Sequence, residues 1–166
     1  MLYRALGWLT NSRYGEIILV ETTCASRETA GANHYTARED ASDKMARDNP
    51  GDMKYKDIID KVAINYYIHP AIICGIISRE SKGGRAIQEM DPPRIPKPGW
   101  GDYGKAFGLM QIDVTPTGGN HLNPKGEWDS EEHLEEATGY LIEFIDKIKE
   151  KFNWNREESE RMNSSL

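Results

Sequence analysis

The stretch that decides the fold is residues 70–81, PAIICGIISRES, in which isoleucines recur at helical spacing ahead of one acidic side chain. The isoleucines are Ile72, Ile73, Ile76 and Ile77. This spacing predicts a helix with a buried apolar stripe, and Pro70 suits the first turn of such a helix. The helix should end at residues 82–84, where glycine can adopt the left-handed conformation. Glu80 continues the stripe by one turn, so the pattern predicts a buried carboxyl group.

Three further segments surround this helix. Residues 53–67 carry apolar side chains at steps of three and four, which predicts an amphipathic helix. Residues 99–113 alternate glycines with apolar residues and should form short strands and tight turns that line a cleft. A long helix should begin with Asp129 as its cap and Glu132 completing a capping box. The predicted fold class is therefore mainly α, with a small β-sheet and turn region.

Composition limits the classes of function. The chain has 166 residues, of which 38% are hydrophobic and 29% charged, which suits a single domain over residues 1–166. A net charge of −6 argues against nucleic acid or an anionic membrane as an electrostatic partner. We find no export signal and no apolar run of membrane-spanning length. Cys24 and Cys74 do not form a disulfide framework, and the sequence leaves open whether they pair.

The carboxyl groups suggest acid–base chemistry. Burial disfavours the charged form, so a buried Glu80 would hold a proton near neutral pH. Glycoside cleavage needs such a proton for the departing sugar oxygen, although Arg79 or Lys82 could instead pair with Glu80 as a plain ion pair. Asp102 and Asp113 lie in the glycine-rich segment, where they could hold an attacking water or simply cap their own backbone.

Three blocks in order give a specific resemblance. Residues 75–81 (GIISRES), 99–102 (GWGD) and 107–113 (FGLMQID) together resemble goose-type lysozymes, and the similarity extends over about residues 14–154. The resemblance implies the lysozyme-like fold, mainly helical with a small sheet. It also implies hydrolysis of the β-1,4 bond between N-acetylmuramic acid and N-acetylglucosamine in bacterial peptidoglycan.

The resemblance also implies roles for individual residues. Glu80 matches the general acid, and Asp102 and Asp113 match the acidic residues that position water on the opposite sugar face, an arrangement that predicts inversion. Gln111 matches a polar position beside the cleft and could bind sugar or make a hydrogen bond at a strand end.

Two aromatic side chains in the same segment are further candidates for the substrate site. Tyr103 and Phe107 could stack on sugar rings or pack within the protein. The histidines show no metal-ligand spacing, and we expect neither a metal nor another cofactor.

The chain also departs from the family. The proline-rich stretch 88–98 lengthens the connection between Glu80 and Asp102, and should form an extended surface loop. The family's Ser-Ala-Tyr-Asn-Ala-Gly-like motif is absent, and residues 155–166 form a polar tail instead. We expect an antibacterial, extracellular monomer acting on peptidoglycan. The alternative is a truncated, catalytically weak or inactive domain that binds glycan or protein and exposes apolar surface.

Overall fold

A computed structural model describes residues 54–152 of the chain. Within that range it has three helices, α1 (Lys56–Tyr66), α2 (Pro70–Ser81) and α3 (Glu131–Phe152), and a small sheet between α2 and α3. The predicted class, mainly helical with a small sheet, is confirmed. The predictions for Cys24, for the amino-terminal arm and for the polar tail fall outside the described residues.

The first helix, α1, is amphipathic as its spacing predicted. Ile59, Val62 and Ala63 are buried on one side, and they contribute to a core shared with α2 and α3. The helix ends at Tyr67, which takes a left-handed conformation with φ of 54°. A sharp turn follows, so that α2 packs back against α1.

The second helix, α2, begins where Pro70 was predicted to begin it. The backbone N–H of Ala71 donates to Nδ1 of His69 over 3.1 Å, which satisfies one of the unpaired donors at the helix start. The helix ends at residues 82–84, as predicted: Lys82 is the first residue in the left-handed conformation, with φ of 52°, and Gly83 (69°) and Gly84 (85°) also have positive φ values. Gly84 has a further role: a Cβ there would press on Leu109, Trp128 and Tyr55, so glycine permits their close approach.

The third helix, α3, is the longest described element, with 22 residues. Its predicted cap, Asp129, is not the observed one. Ser130 Oγ accepts the backbone N–H of His133 over 3.2 Å, which is the hydrogen bond expected of a cap residue. Asp129 instead accepts hydrogen bonds from Lys54 (2.7 Å) and Tyr55 (3.3 Å), and so joins the start of α3 to α1.

The sheet consists of three antiparallel strands of two residues each, β1 (Trp100–Gly101), β2 (Ala106–Phe107) and β3 (Ile112–Asp113), in the order β1-β2-β3. Trp100, Phe107 and Ile112 are cross-strand partners and lie on one face. The other face carries Gly101, Ala106 and Asp113. The sheet therefore separates the aromatic side chains from Asp113.

The proline-rich stretch lies on the surface, but it is less extended than predicted. Asp91 and Ile95 pair across a turn through two backbone hydrogen bonds of 3.0 and 2.8 Å. Ile95 is buried, whereas the residues around it are exposed. The stretch is thus a closed turn anchored by one apolar side chain.

Apolar side chains remain exposed on the last turns of α3. Phe144, Ile148 and Phe152 recur at steps of four, with exposed fractions of 60%, 44% and 57%. Their spacing places them along one side of the helix. None of the described helices is both long and apolar enough to span a membrane.

Candidate active site

Glu80 lies in the last turn of α2, and its side chain is exposed. The prediction that it is buried is therefore wrong. The buried side of α2 runs through Ile73, Ile77 and Ser81, at steps of four, whereas the parallel row that leads to Glu80 passes through the half-buried Ile76. The carboxyl group is accordingly open to a ligand, and the described part of the protein does not enclose it.

Asp113 ends β3, and its carboxylate is held by the loop that follows. Oδ1 accepts the backbone N–H of Thr115 over 2.8 Å and the Thr115 hydroxyl over 2.6 Å. These hydrogen bonds, the one from the hydroxyl first, hold the pKa of Asp113 below its ordinary value, with smaller contributions from the backbone N–H of Gly119 and from the neighbouring His121. A Cβ on Gly118 would collide with Oδ2, so the loop closes around the carboxylate because that residue is glycine.

Asp102 follows β1 in a single 3₁₀ turn, Asp102–Gly104, and is exposed. Asp102, Tyr103 and Gly104 have positive φ values of 45°, 59° and 82°. The left-handed region is unfavourable for a residue as bulky as tyrosine, and backbone strain of this kind is enriched at functional sites. Tyr103 is also 63% exposed, so its ring is available for contact with a ligand.

The three acidic residues lie on elements that are tied to one another. Asp102 directly follows Gly101. Ala106, on the central strand, pairs with Gly101 on one neighbouring strand and with Asp113 on the other. Two inter-strand spacings place the backbones at 101 and 113 on the order of 10 Å apart. The helix that carries Glu80 is joined to this sheet at Ser81, whose hydroxyl donates to the carbonyl of Leu109 over 2.7 Å.

Gln111 lies in the turn before β3 and has φ of 50°. Its Nε2 donates to the carbonyl oxygens of Gly108 (2.8 Å) and Gly99 (3.3 Å). The amide nitrogen thus makes hydrogen bonds within the protein, which is the alternative to sugar binding that the sequence left open. A Cβ on Gly101 would collide with Oε1, which shows how closely the amide packs on β1. Gln111 therefore ties the turn to the strand that precedes Asp102.

Phe107 lies on the opposite face of the sheet from Asp113. Only 8% of it is exposed, and its ring lies 4.8 Å from those of both Trp100 and His133. A pocket of about 600 Å³ opens on this face, with Trp100, Phe107 and Trp128 in its walls. The sheet lies between this pocket and Asp113, and the packing observed for Phe107 is the structural alternative to sugar stacking.

The sequence did not predict the role of Thr115, which binds Asp113, or that of Ser81, which follows Glu80 and binds the turn at Leu109. Thr115 stands two positions after Asp113, the spacing at which aspartate commonly binds its own backbone, so the signal existed. Ser81 stands four positions after Ile77 and so continues the buried row. Between residues 54 and 152, no group of three or more His, Cys, Asp or Glu side chains could hold a metal ion.

The comparisons with known proteins agree on one family. The model of the Lysozyme g family matches residues 14–162. The lysozyme g of Takifugu rubripes is 45% identical over 143 residues, which cover 79% of this chain and 70% of that protein. The lysozyme g of Epinephelus coioides is 42% identical, over 87% of this chain and 74% of the relative.

A human relative is more distant. Lysozyme g-like protein 2 of Homo sapiens is 36% identical over 140 residues, covering 84% of this chain and 58% of that protein. The family match and the two fish relatives each extend over most of the chain, and the range matched by the family model includes residues 80, 102 and 113. This chain therefore belongs to the lysozyme g family, which indicates a glycosidase of the lysozyme type.

Proposed function

We propose that the chain hydrolyses the β-1,4 bond between N-acetylmuramic acid and N-acetylglucosamine in bacterial peptidoglycan, with inversion at the anomeric carbon. The observation that carries this proposal is the placement of Glu80, Asp102 and Asp113, all exposed, on a helix end, a turn and a strand end that are joined by hydrogen bonds. Family membership supplies the class of reaction. An extracellular, antibacterial monomer remains our expectation for its biology.

Glu80 acts in this scheme as the general acid. Its proton passes to the glycosidic oxygen as the bond to the anomeric carbon breaks and an oxocarbenium-like transition state forms. Because Glu80 is exposed, the bound glycan rather than the protein core has to exclude water from the carboxyl group. Tyr103, exposed beside Asp102, is suited to stack on a sugar ring of the same glycan.

Asp113 and Asp102 hold the attacking water in this scheme. Because its hydrogen bonds lower the pKa of Asp113, this carboxylate stays ionised at mildly acidic pH. An ionised carboxylate can accept a hydrogen bond from water and stabilise the positive charge that develops on the sugar. Inverting enzymes keep the acid and the base about 6.5–9.5 Å apart so that a water fits between them.

The test is the clearing of a bacterial cell-wall suspension at low salt and mildly acidic pH. We expect the native chain to clear the suspension and Glu80→Gln to lose this activity. Glu89→Gln is a matched control, because Glu89 is also exposed but lies in the loop after α2. Native protein that is folded yet releases no wall fragments would contradict the proposal, and so would full activity in Glu80→Gln.

The stereochemistry is tested separately. Proton NMR of the fragments released from soluble peptidoglycan reports the anomer formed at the first turnovers. Inversion requires the α-anomer at early times, and an initial β-anomer would show that a different mechanism operates.

The exposure of Glu80 and of the apolar stripe on α3 favours a second candidate, a glycan-binding domain with little or no turnover. Calorimetric titration with soluble peptidoglycan fragments distinguishes the two functions. Binding by a folded chain that releases no fragments supports the second candidate, and turnover eliminates it.

A further inference from the structure

Ser81 is a buried polar residue immediately after Glu80. It is completely buried at the end of α2, and its hydroxyl has three possible partners. The backbone N–H of Gly84 donates to Oγ over 3.1 Å, while the carbonyls of Leu109 (2.7 Å) and Ile77 (3.1 Å) can accept its proton. A hydroxyl has one proton to donate, and the shorter distance favours Leu109.

The bond to Leu109 crosses from α2 to the turn between β2 and β3. That turn is itself braced, because Gln111 donates from its backbone N–H to the Gly108 carbonyl over 3.0 Å and from its side chain to Gly108 and Gly99. Asp113 lies two residues beyond Gln111. One hydrogen bond and a turn braced by Gln111 thus connect the residue beside Glu80 to the strand that ends in Asp113.

The neighbouring side chains leave little freedom at this connection. Leu109 is 1% exposed, and its side chain lies against Gly84, where a Cβ would approach it to 3.1 Å. Gly84 in turn is bonded to Ser81 Oγ. Loss of the hydroxyl would leave a buried carbonyl and a buried N–H without this partner, and both would have to move to find another.

We infer that Ser81 is a positioning residue, whose hydrogen bond to Leu109 sets the separation between the carboxyl groups of Glu80 and Asp113. This inference rests on the proposed function, because the separation matters only if the two groups act on the same sugar. Misplacement of reacting groups by about 1 Å can cost on the order of 100-fold in rate. Ser81 does not touch the substrate in this scheme and acts only through Glu80.

The test compares kcat and KM on soluble peptidoglycan fragments for the native chain, Ser81→Ala and Ser81→Cys. We expect Ser81→Ala to lower kcat by roughly 10- to 100-fold with little change in KM, because misplaced groups impair the chemical step. Cysteine keeps the approximate shape but donates weakly, so Ser81→Cys should give an intermediate kcat.

Thr138→Val provides the matched control. Thr138 is also completely buried, and its hydroxyl donates to the sulfur of Met110, in the same turn, over 3.8 Å. Both variants lose a buried hydroxyl that contacts the turn at residues 108–111, but only Ser81 directly follows Glu80 in the chain. An equal loss of kcat in Ser81→Ala and Thr138→Val, or wild-type kcat in Ser81→Ala, would overturn the inference.

A structural measurement separates this inference from the proposed function. Crystal structures of the native chain, Ser81→Ala and Thr138→Val give the distance between the Glu80 and Asp113 carboxyl carbons. We expect a change of about 1 Å in Ser81→Ala alone, the scale at which rate is lost. An unchanged distance in Ser81→Ala refutes the positioning role, whether or not the native chain is active. If the distance changes as expected but the native chain is inactive, only the proposed function is refuted.

Discussion

Asp113 shows how neighbouring residues set the charge of one side chain. The Thr115 hydroxyl makes the largest contribution to its lowered pKa, ahead of the Thr115 backbone N–H. We predict that Thr115→Ala raises the pKa of Asp113 towards its ordinary value, because the ionised form loses one hydrogen bond. Asp113 then becomes protonated at a higher pH, so the loss of activity on the acid side of the pH profile begins at a higher pH. NMR titration of the Asp113 carboxyl carbon measures the pKa directly.

Thr117→Ala is the control for this prediction. Thr117 lies in the same exposed loop, two residues further on, and is not among the groups that shift the pKa of Asp113. The same pKa in both variants would contradict the role assigned to the Thr115 hydroxyl.

The exposure of Glu80 could not be predicted from the sequence, although its position on the helix could. Two rows of isoleucine run along α2, one towards Glu80 and one towards Ser81, and the local pattern does not distinguish them. The turn that contains Leu109 decides between them, because it lies against Ser81. That contact joins residues 28 positions apart, beyond the reach of any periodicity argument.

Among the elements, the start of α3 provides the clearest test. We predict that Ser130→Ala lowers the free energy of unfolding by about 1 kcal/mol, because the His133 N–H loses the side chain that caps it. Ser130→Asp should restore most of this stability, since aspartate caps about as well as serine. Urea denaturation monitored by circular dichroism gives both values. If the alanine and aspartate variants were equally unstable, Ser130 would not be the cap.

The extent of the elements was largely predictable, whereas their ends were not. Apolar spacing located α1, α2 and α3, and glycine spacing located the strands. Asp129 and Ser130 are both good cap residues, and the choice between them depends on Lys54 and Tyr55, which lie just before α1 and donate hydrogen bonds to Asp129. The proline-rich stretch was predicted to be extended but forms a closed turn, because Ile95 is buried and local composition does not indicate this burial.

At the scale of the whole molecule, His133 joins three parts of the described structure. It stands in the first turns of α3, and its Nδ1 lies 3.2 Å from the carbonyl of Lys125. The ring contacts Phe107 of β2 edge to face, and Nε2 lies where a Cβ of Gly108 would be. It is 1% exposed, and this burial lowers its pKa, while the Glu136 carboxylate 3.8 Å away opposes the shift. Protonation of His133 is therefore disfavoured in the folded protein.

The pH dependence of stability follows from this lowered pKa. The unfolded chain binds a proton at His133 below about pH 6.5, whereas the folded chain resists it. Its contribution is therefore fully present above pH 6.5 and is lost as the pH falls towards the folded pKa, by up to about 1.4 kcal/mol per pH unit. We predict that this slope, measured by urea denaturation between pH 7.5 and about 5, is reduced in His133→Asn and retained in His121→Asn. Since asparagine can still donate to Lys125 but does not titrate, identical slopes in the native chain and His133→Asn would rule out His133 as the source.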